Sequence, residues 1–244
     1  MKRRRKLSRV EQILKKQDDA DIQIRVLRIA TEFAEGFEFL RRYAKGKKVA
    51  TIFGSARIKR GSREYKEIYD LAYRLAKKWY IVITGGGSGA MEAANHGAHD
   101  AGGISIGINI SLPKMHKRGE KRNSFLTQQY LCKYFFARKT LLSFAAHVYI
   151  FVQGGFGTLD ELFEMLTLVQ TKKIPRIPII LKGRKYYSGL IEWISSVLEK
   201  NKMISKKDFA LLRLVDTNKE LLCLLKRLER SGDTRCCCQA PCPQ

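Results

Sequence analysis

Apolar residues recur at near-helical spacing from 11 to 43, with Ile24, Leu27, Ala30, Phe33, Ala34, Phe37 and Leu40 on one stripe, so helices are predicted ahead of the first strand. After a basic punctuation at 45–48, short apolar runs and helical patterns alternate. The predicted order is strand 49–53, helix 65–78, strand 81–84, helix 90–101 and strand 104–110. Residues 111–128 are polar, charged and without period, and read as a long loop of the kind that often carries function. A helix over 136–145 then leads into strand 148–152, a helix to 170, strand 177–181, helix 190–199, strand 212–215 and helix 219–229. Such alternation implies an α/β protein, a doubly wound parallel sheet with helices on both faces and an N-terminal helical extension. Ligands of such sheets bind beyond the carboxyl ends of the strands.

Three strand ends are suggestive. Gln153-Gly154-Gly155-Phe156-Gly157-Thr158-Leu159-Asp160-Glu161 joins a strand to a helix through a glycine turn, where unpaired N–H groups and the positive end of a helix dipole can hold a phosphate. Glu161 is placed by this reading in the first helical turn. A carboxylate beside an anion cradle repels the anion, so it suggests a chemical task; the plainer account is an acid complementing the dipole. Thr84-Gly85-Gly86-Gly87-Ser88-Gly89-Ala90-Met91-Glu92 is a second such turn, and Phe53-Gly54-Ser55-Ala56-Arg57 ends the first strand in small residues and a cation. Gly85, Gly87 and Ala90 match the dinucleotide spacing, but the expected ribose-binding acid is missing from the end of the next strand, Ile108-Asn109-Ile110-Ser111. A mononucleotide or sugar phosphate fits better.

Composition narrows the classes. Forty-seven basic residues against 23 acids give a net charge of +24, which attracts polyanions non-specifically, although no recognisable nucleic-acid motif accompanies it. Residues 1–10 read as a basic disordered arm, 11–46 as N-terminal helices, 47–230 as the catalytic domain and 231–244 as a disordered cysteine-rich tail. Four of six cysteines crowd that tail, at 236, 237, 238 and 242, so a disulfide framework is not expected and a reducing, cytoplasmic setting is. No run reaches the roughly 20 apolar residues of a membrane span, and no apolar signal segment follows the basic start. His96 and His99 share a helix without an evident third ligand, so no metal is expected. Ser55 lacks a histidine and acid pair and is read as a ligand contact.

The motif Gly154-Gly155-Phe156-Gly157-Thr158-Leu159-Asp160-Glu161, preceded by Phe135-Phe136-Ala137-Arg138-Lys139, resembles the signature of the cytokinin-activating LOG ("Lonely guy") family, often misnamed lysine decarboxylases. The stretches 53–57 and 85–95 resemble its bacterial branch, and the likeness runs from about 49 to 227. It implies a Rossmann-like fold, a homodimer or higher homo-oligomer, no cofactor, and hydrolysis of a nucleoside 5′-monophosphate to free base and ribose 5-phosphate. It also implies Arg138 and Glu161 as catalytic residues and Lys139, Gly154, Gly155, Gly157, Thr158 and Thr167 as substrate-binding. Ser55, Arg57, Gly86, Gly87 and Glu92 join them as substrate contacts on their strand ends. The chain departs from the family in carrying Gln153 where a proline is common. After Ser111-Leu112-Pro113 it reaches an acid only at Glu120, which is taken as the substitute contact. A non-catalytic nucleotide-binding or RNA-associated protein is the competing class.

Overall fold

A computed structural model of the chain describes residues 19–111 and 122–231. The basic arm, Glu120 with most of the long loop, and the cysteine-rich tail lie outside the described residues. Strands β1 (Lys48–Phe53), β2 (Tyr80–Thr84), β3 (Ser105–Ile110), β4 (Gln128–Cys132), β5 (Val148–Phe151), β6 (Ile179–Lys182) and β7 (Leu212–Val215) form one sheet in the order β4-β3-β2-β1-β5-β6-β7. Every pairing is parallel. The strands β2, β3, β5 and β6 are buried throughout, as expected where helices cover both faces.

The connecting helices are α1 (Asp19–Ala44), α2 (Arg63–Lys77), α3 (Ala90–Asp100), α4 (Phe135–Phe144), α5 (Phe156–Gln170), α6 (Arg184–Trp193), α7 (Lys206–Phe209) and α8 (Asn218–Ser231). One core holds Ala50, Ile52, Val82 and Ile150 against Leu71 and Leu75 of α2, Ala94 of α3 and Leu221 of α8. The other packs Val49, Ile83, Ile108 and Phe151 against Leu40 of α1, Leu141 of α4 and Leu162 of α5. The fold is therefore Rossmann-like, with the order of strand connection reversing between β1 and β5.

Three elements differ from expectation. The sequence shows no apolar run at β4, because only Cys132 among its five residues is fully buried on this outer strand of the sheet. The helix predicted at 190–199 begins earlier, at Arg184, and continues into a π-helical stretch, Ile194–Glu199. The N-terminal helical region is one continuous helix within the described residues. That helix has a specific anchor: Glu32, nearly buried, accepts the backbone N–H groups of Lys133 at 2.9 Å and Tyr134 at 3.1 Å, immediately ahead of α4. A carboxylate there meets both orphan donors and the positive dipole end of α4.

Candidate active site

The ends of β1, β2 and β5 converge because their backbones bond to one another. Ser55 N–H donates to the Gln153 carbonyl at 2.9 Å, and Ala90 N–H donates to the Ser55 carbonyl at 2.9 Å. Two glycines permit this approach. A Cβ on Gly54 would lie 2.4 Å from a Val152 methyl and 2.7 Å from the Ala90 Cβ. Gly89, at φ +69°, would drive a Cβ to 2.4 Å from the Ser55 carbonyl oxygen.

A buried polar network fixes the Gly85 to Gly87 turn. Thr84 Oγ1 accepts from Gly86 N–H at 2.9 Å and donates to Asn95 Oδ1 at 2.6 Å. Asn123 Nδ2 donates to the Gly87 carbonyl and to Asn95 Oδ1, each at 2.9 Å, while Asn123 N–H donates to the Gly86 carbonyl. Gly86 and Gly87 thus serve the scaffold in this structure. Their neighbour Gly85 offers its carbonyl to Arg138.

Arg138, only 9% exposed, rises from α4 beneath the cleft. Its Nε donates to the Ile108 carbonyl at 2.9 Å and its Nη2 to the Gly85 carbonyl at 3.2 Å. Two carbonyls therefore hold a permanently charged fork in one orientation. Lys139, beside it, ion-pairs with Asp160 and Glu164, each at 2.8 Å. Burial works against the Lys139 charge, but the hydrogen bonds to Asp160 and Glu164 outweigh it and hold the ammonium above the ordinary lysine range. The lysine ties α4 to α5.

The third turn opens α5. Gly154 has no room for a side chain, since a Cβ would lie 2.1 Å from Thr158 Oγ1. Gly155 and Gly157 are the opposite case, with nothing within 4 Å of such a Cβ. Gly155 is the N-cap and no side chain caps the helix, so the leading N–H groups of α5 face a space kept clear by missing side chains. Glu161 corrects the sequence reading: α5 starts at Phe156, its first turn contains no acid, and Glu161 falls in the second turn. The dipole effect fades within the first turn, so complementing it does not account for this acid.

These parts border one cleft of about 880 Å³. Of the residues named from sequence, Ser55, Arg57, Arg138, Lys139, Gly154, Gly155, Gly157, Thr158 and Glu161 line it. Glu92 does not; its carboxylate accepts from the Tyr65 hydroxyl at 3.3 Å and lies 3.6 Å from Arg60. Thr167 is also elsewhere, lining a separate cavity of about 120 Å³ between α5 and the segment before β7. His96 stacks on Phe125 at 3.8 Å and contacts Asp100 and Tyr65.

Sequence reasoning missed several cleft residues. Tyr186 lines the wall and its hydroxyl donates to the Gly154 carbonyl, while the buried Tyr187 donates to the Val152 carbonyl at 2.8 Å. Their position just beyond the carboxyl end of β6 was the available signal. Phe135 and the 93% exposed Phe156 stand at the cleft, and as apolar residues they resembled ordinary core positions in the sequence.

Fold and cleft together define a doubly wound α/β protein whose cleft, bordered by an uncapped glycine-rich helix start, lies at the topological switch point of the sheet. Residues 91–225, more than half of the chain, match the family model described as "Possible lysine decarboxylase", and the chain belongs to that family, the LOG family. It is 27% identical over 187 residues to "Cytokinin riboside 5'-monophosphate phosphoribohydrolase LOG3" of Arabidopsis thaliana, covering 76% of this chain and 83% of the relative. It is 28% identical over 128 residues to an uncharacterised protein of Archaeoglobus fulgidus, covering 50% of this chain and 80% of the relative. Among solved structures, the molybdenum cofactor carrier protein of Chlamydomonas reinhardtii shares the fold, with a TM-score of 0.57 at 20% identity over 75% of this chain and 99% of the other.

Proposed function

We propose that the protein hydrolyses the N-glycosidic bond of a purine nucleoside 5′-monophosphate, with adenine or N6-prenyladenine as the base, releasing free base and ribose 5-phosphate. The observation that carries this reading is the placement of Glu161 and Arg138 on one cleft with an uncapped glycine-rich helix start. Relatives named as cytokinin riboside 5′-monophosphate phosphoribohydrolases support it.

The 5′-phosphate sits over Gly155 and Gly157, where N–H groups and the helix dipole attract it. Breaking the bond from ribose to base builds positive charge on the ribose, and Glu161 stabilises that charge and orients the attacking water. The hydroxide of that water goes to the anomeric carbon, and a proton ends on the departing nitrogen. Arg138 remains protonated throughout and acts by binding and orienting. The exposed rings of Phe135 and Phe156 offer apolar faces on which a planar base can stack.

Incubation with AMP, followed by assay for adenine and ribose 5-phosphate, tests the reading. We expect release from the wild type and a loss on the order of 10²-fold or more in both Glu161→Gln and Arg138→Ala. AMP binding without any release makes the protein a non-catalytic binder. Wild-type rates in both variants would show that another pair does the chemistry.

A further inference from the structure

In a parallel α/β sheet every helix-to-strand connection returns to the same edge, the one at which strands begin. Here Lys48 is level with Tyr80, Val82 with Ser105, and Ile179 with Leu212, so the strand starts form a common border. The segments 45–48, 77–79, 171–178 and 200–207 precede β1, β2, β6 and β7. They contain twelve lysines and arginines and no acid, and all twelve except the half-buried Arg176 are exposed. The connections before β3 and β5, 101–104 and 145–147, also lack acids. Two neighbouring acids are engaged, since Glu229 accepts from Lys48 at 2.9 Å and from the Tyr80 hydroxyl at 2.7 Å, and Asp208 is bonded to Ser205, while Glu199 stands at the border of the last segment. Twelve of the 47 basic residues thus lie along an edge crossing five adjacent strands, a distance of about 20 Å at the usual strand spacing.

A second observation on the same edge involves Trp79. It directly follows Lys77 and Lys78 where α2 turns into β2, is 88% exposed, and has φ 66°. Glycine is the residue suited to such a position after a helix, and a bulky side chain there is strained. Exposing an indole forfeits its burial as well. The turn itself, in which Trp79 N–H donates to the Ala76 carbonyl at 2.9 Å, would be served by glycine without either cost. A flat apolar ring among lysines is the arrangement that holds single-stranded nucleic acid, with bases stacking on the ring and cations following the phosphates. Met203, 69% exposed between Lys202 and Lys206, adds a second apolar point.

We propose that this amino-end edge is a binding face for single-stranded nucleic acid, separate from the cleft at the opposite ends of the strands. Its truth does not depend on the hydrolase reading.

The test uses the full chain and a fluorescein-labelled 12-nucleotide oligouridylate. Trp79 and Trp193 are the two tryptophans, so a Trp193→Phe background makes Trp79 the only indole, and its emission should be quenched as the oligonucleotide saturates. Affinity should fall with salt at a log–log slope of about −3 for four phosphate contacts. The variant Lys172→Gln/Lys173→Gln/Lys200→Gln/Lys202→Gln should bind at least tenfold more weakly. The control Lys66→Gln/Lys185→Gln, at the other end of the sheet, should bind as wild type. Trp79→Gly should lose about tenfold while folding at least as stably, because glycine suits φ 66°. Absence of Trp79 quenching at saturation overturns the proposal. Undiminished binding by the four-lysine variant also overturns it, as does equal competition by a duplex or capture by phosphatidylserine vesicles in place of the oligonucleotide.

Discussion

The guanidinium of Arg138 donates to the Gly85 carbonyl at 3.2 Å, and a Cβ on Gly85 would lie 2.0 Å from that same Nη2. The glycine therefore works as the seat of the arginine, and the second glycine turn shapes the cleft without entering it. An alanine at Gly85 meets flexible ends, Arg138 Nη2 and Met91 Sδ, so the fold should survive at a cost of about 1–3 kcal/mol. Arg138 must move, and kcat on AMP should fall on the order of 10²-fold, given how steeply rate depends on placement. Thermal melting and steady-state kinetics together check this.

Gly157→Ala is the converse case. The position lies in a helix with open space around it, so the substitution should stabilise the protein by about 0.5–1 kcal/mol. The added methyl enters the proposed phosphate seat, and KM for AMP should rise about tenfold or more. A more stable protein with unchanged KM would place the phosphate elsewhere.

Tyr186 and Tyr187 both hold the β5 end, but from different environments. Tyr187→Phe orphans the buried Val152 carbonyl and should cost about 1–2 kcal/mol in chemical denaturation. Tyr186→Phe releases the Gly154 carbonyl at the exposed cleft wall. It should raise KM several-fold with little change in melting temperature.

Lys182, 7% exposed, has Glu67 as its partner at 3.0 Å. Burial alone would raise the Glu67 pKa, but hydrogen bonds from Lys182 and Arg63 prevail and lower it. A lowered folded-state pKa contributes stability that is present above the unfolded value near 4.3 and lost as pH falls through the folded one. Urea midpoints should therefore decline from about pH 5 downward. Glu67→Gln should flatten part of that decline and, by leaving an uncompensated buried ammonium, cost about 1–3 kcal/mol at pH 7, whereas Lys182→Met should be near neutral.

Burial, with help from Glu32, pushes the Cys132 thiol up to about 12 despite the opposing charge of Arg138. A thiol so held is not a nucleophile at neutral pH. Peptide mapping after iodoacetamide at pH 8 should find Cys132 unmodified in the folded protein and alkylated in urea.

The sequence by itself determined the α/β class, most strand positions and most of the cleft, because fully buried parallel strands appear as apolar runs and because glycine turns are chemical necessities at their ends. Gly154 to Thr158 and Glu161 were legible for that reason, and Arg138 through the family motif it resembles. Strand β4 was not, since an outer strand with one fully buried residue has no apolar run to betray it. Only the tertiary structure decided which glycines face the open cleft and which face packing: Gly155 and Gly157 are open, while Gly85 and Gly86 lie against Arg138 and Asn109. It alone carried Thr167 and Glu92 away from the cleft, brought Tyr186 into it, and gathered distant lysines along one edge. Local pattern records how a residue relates to its own element, and these outcomes depend on distances between elements, which exist only once the sheet has set them side by side.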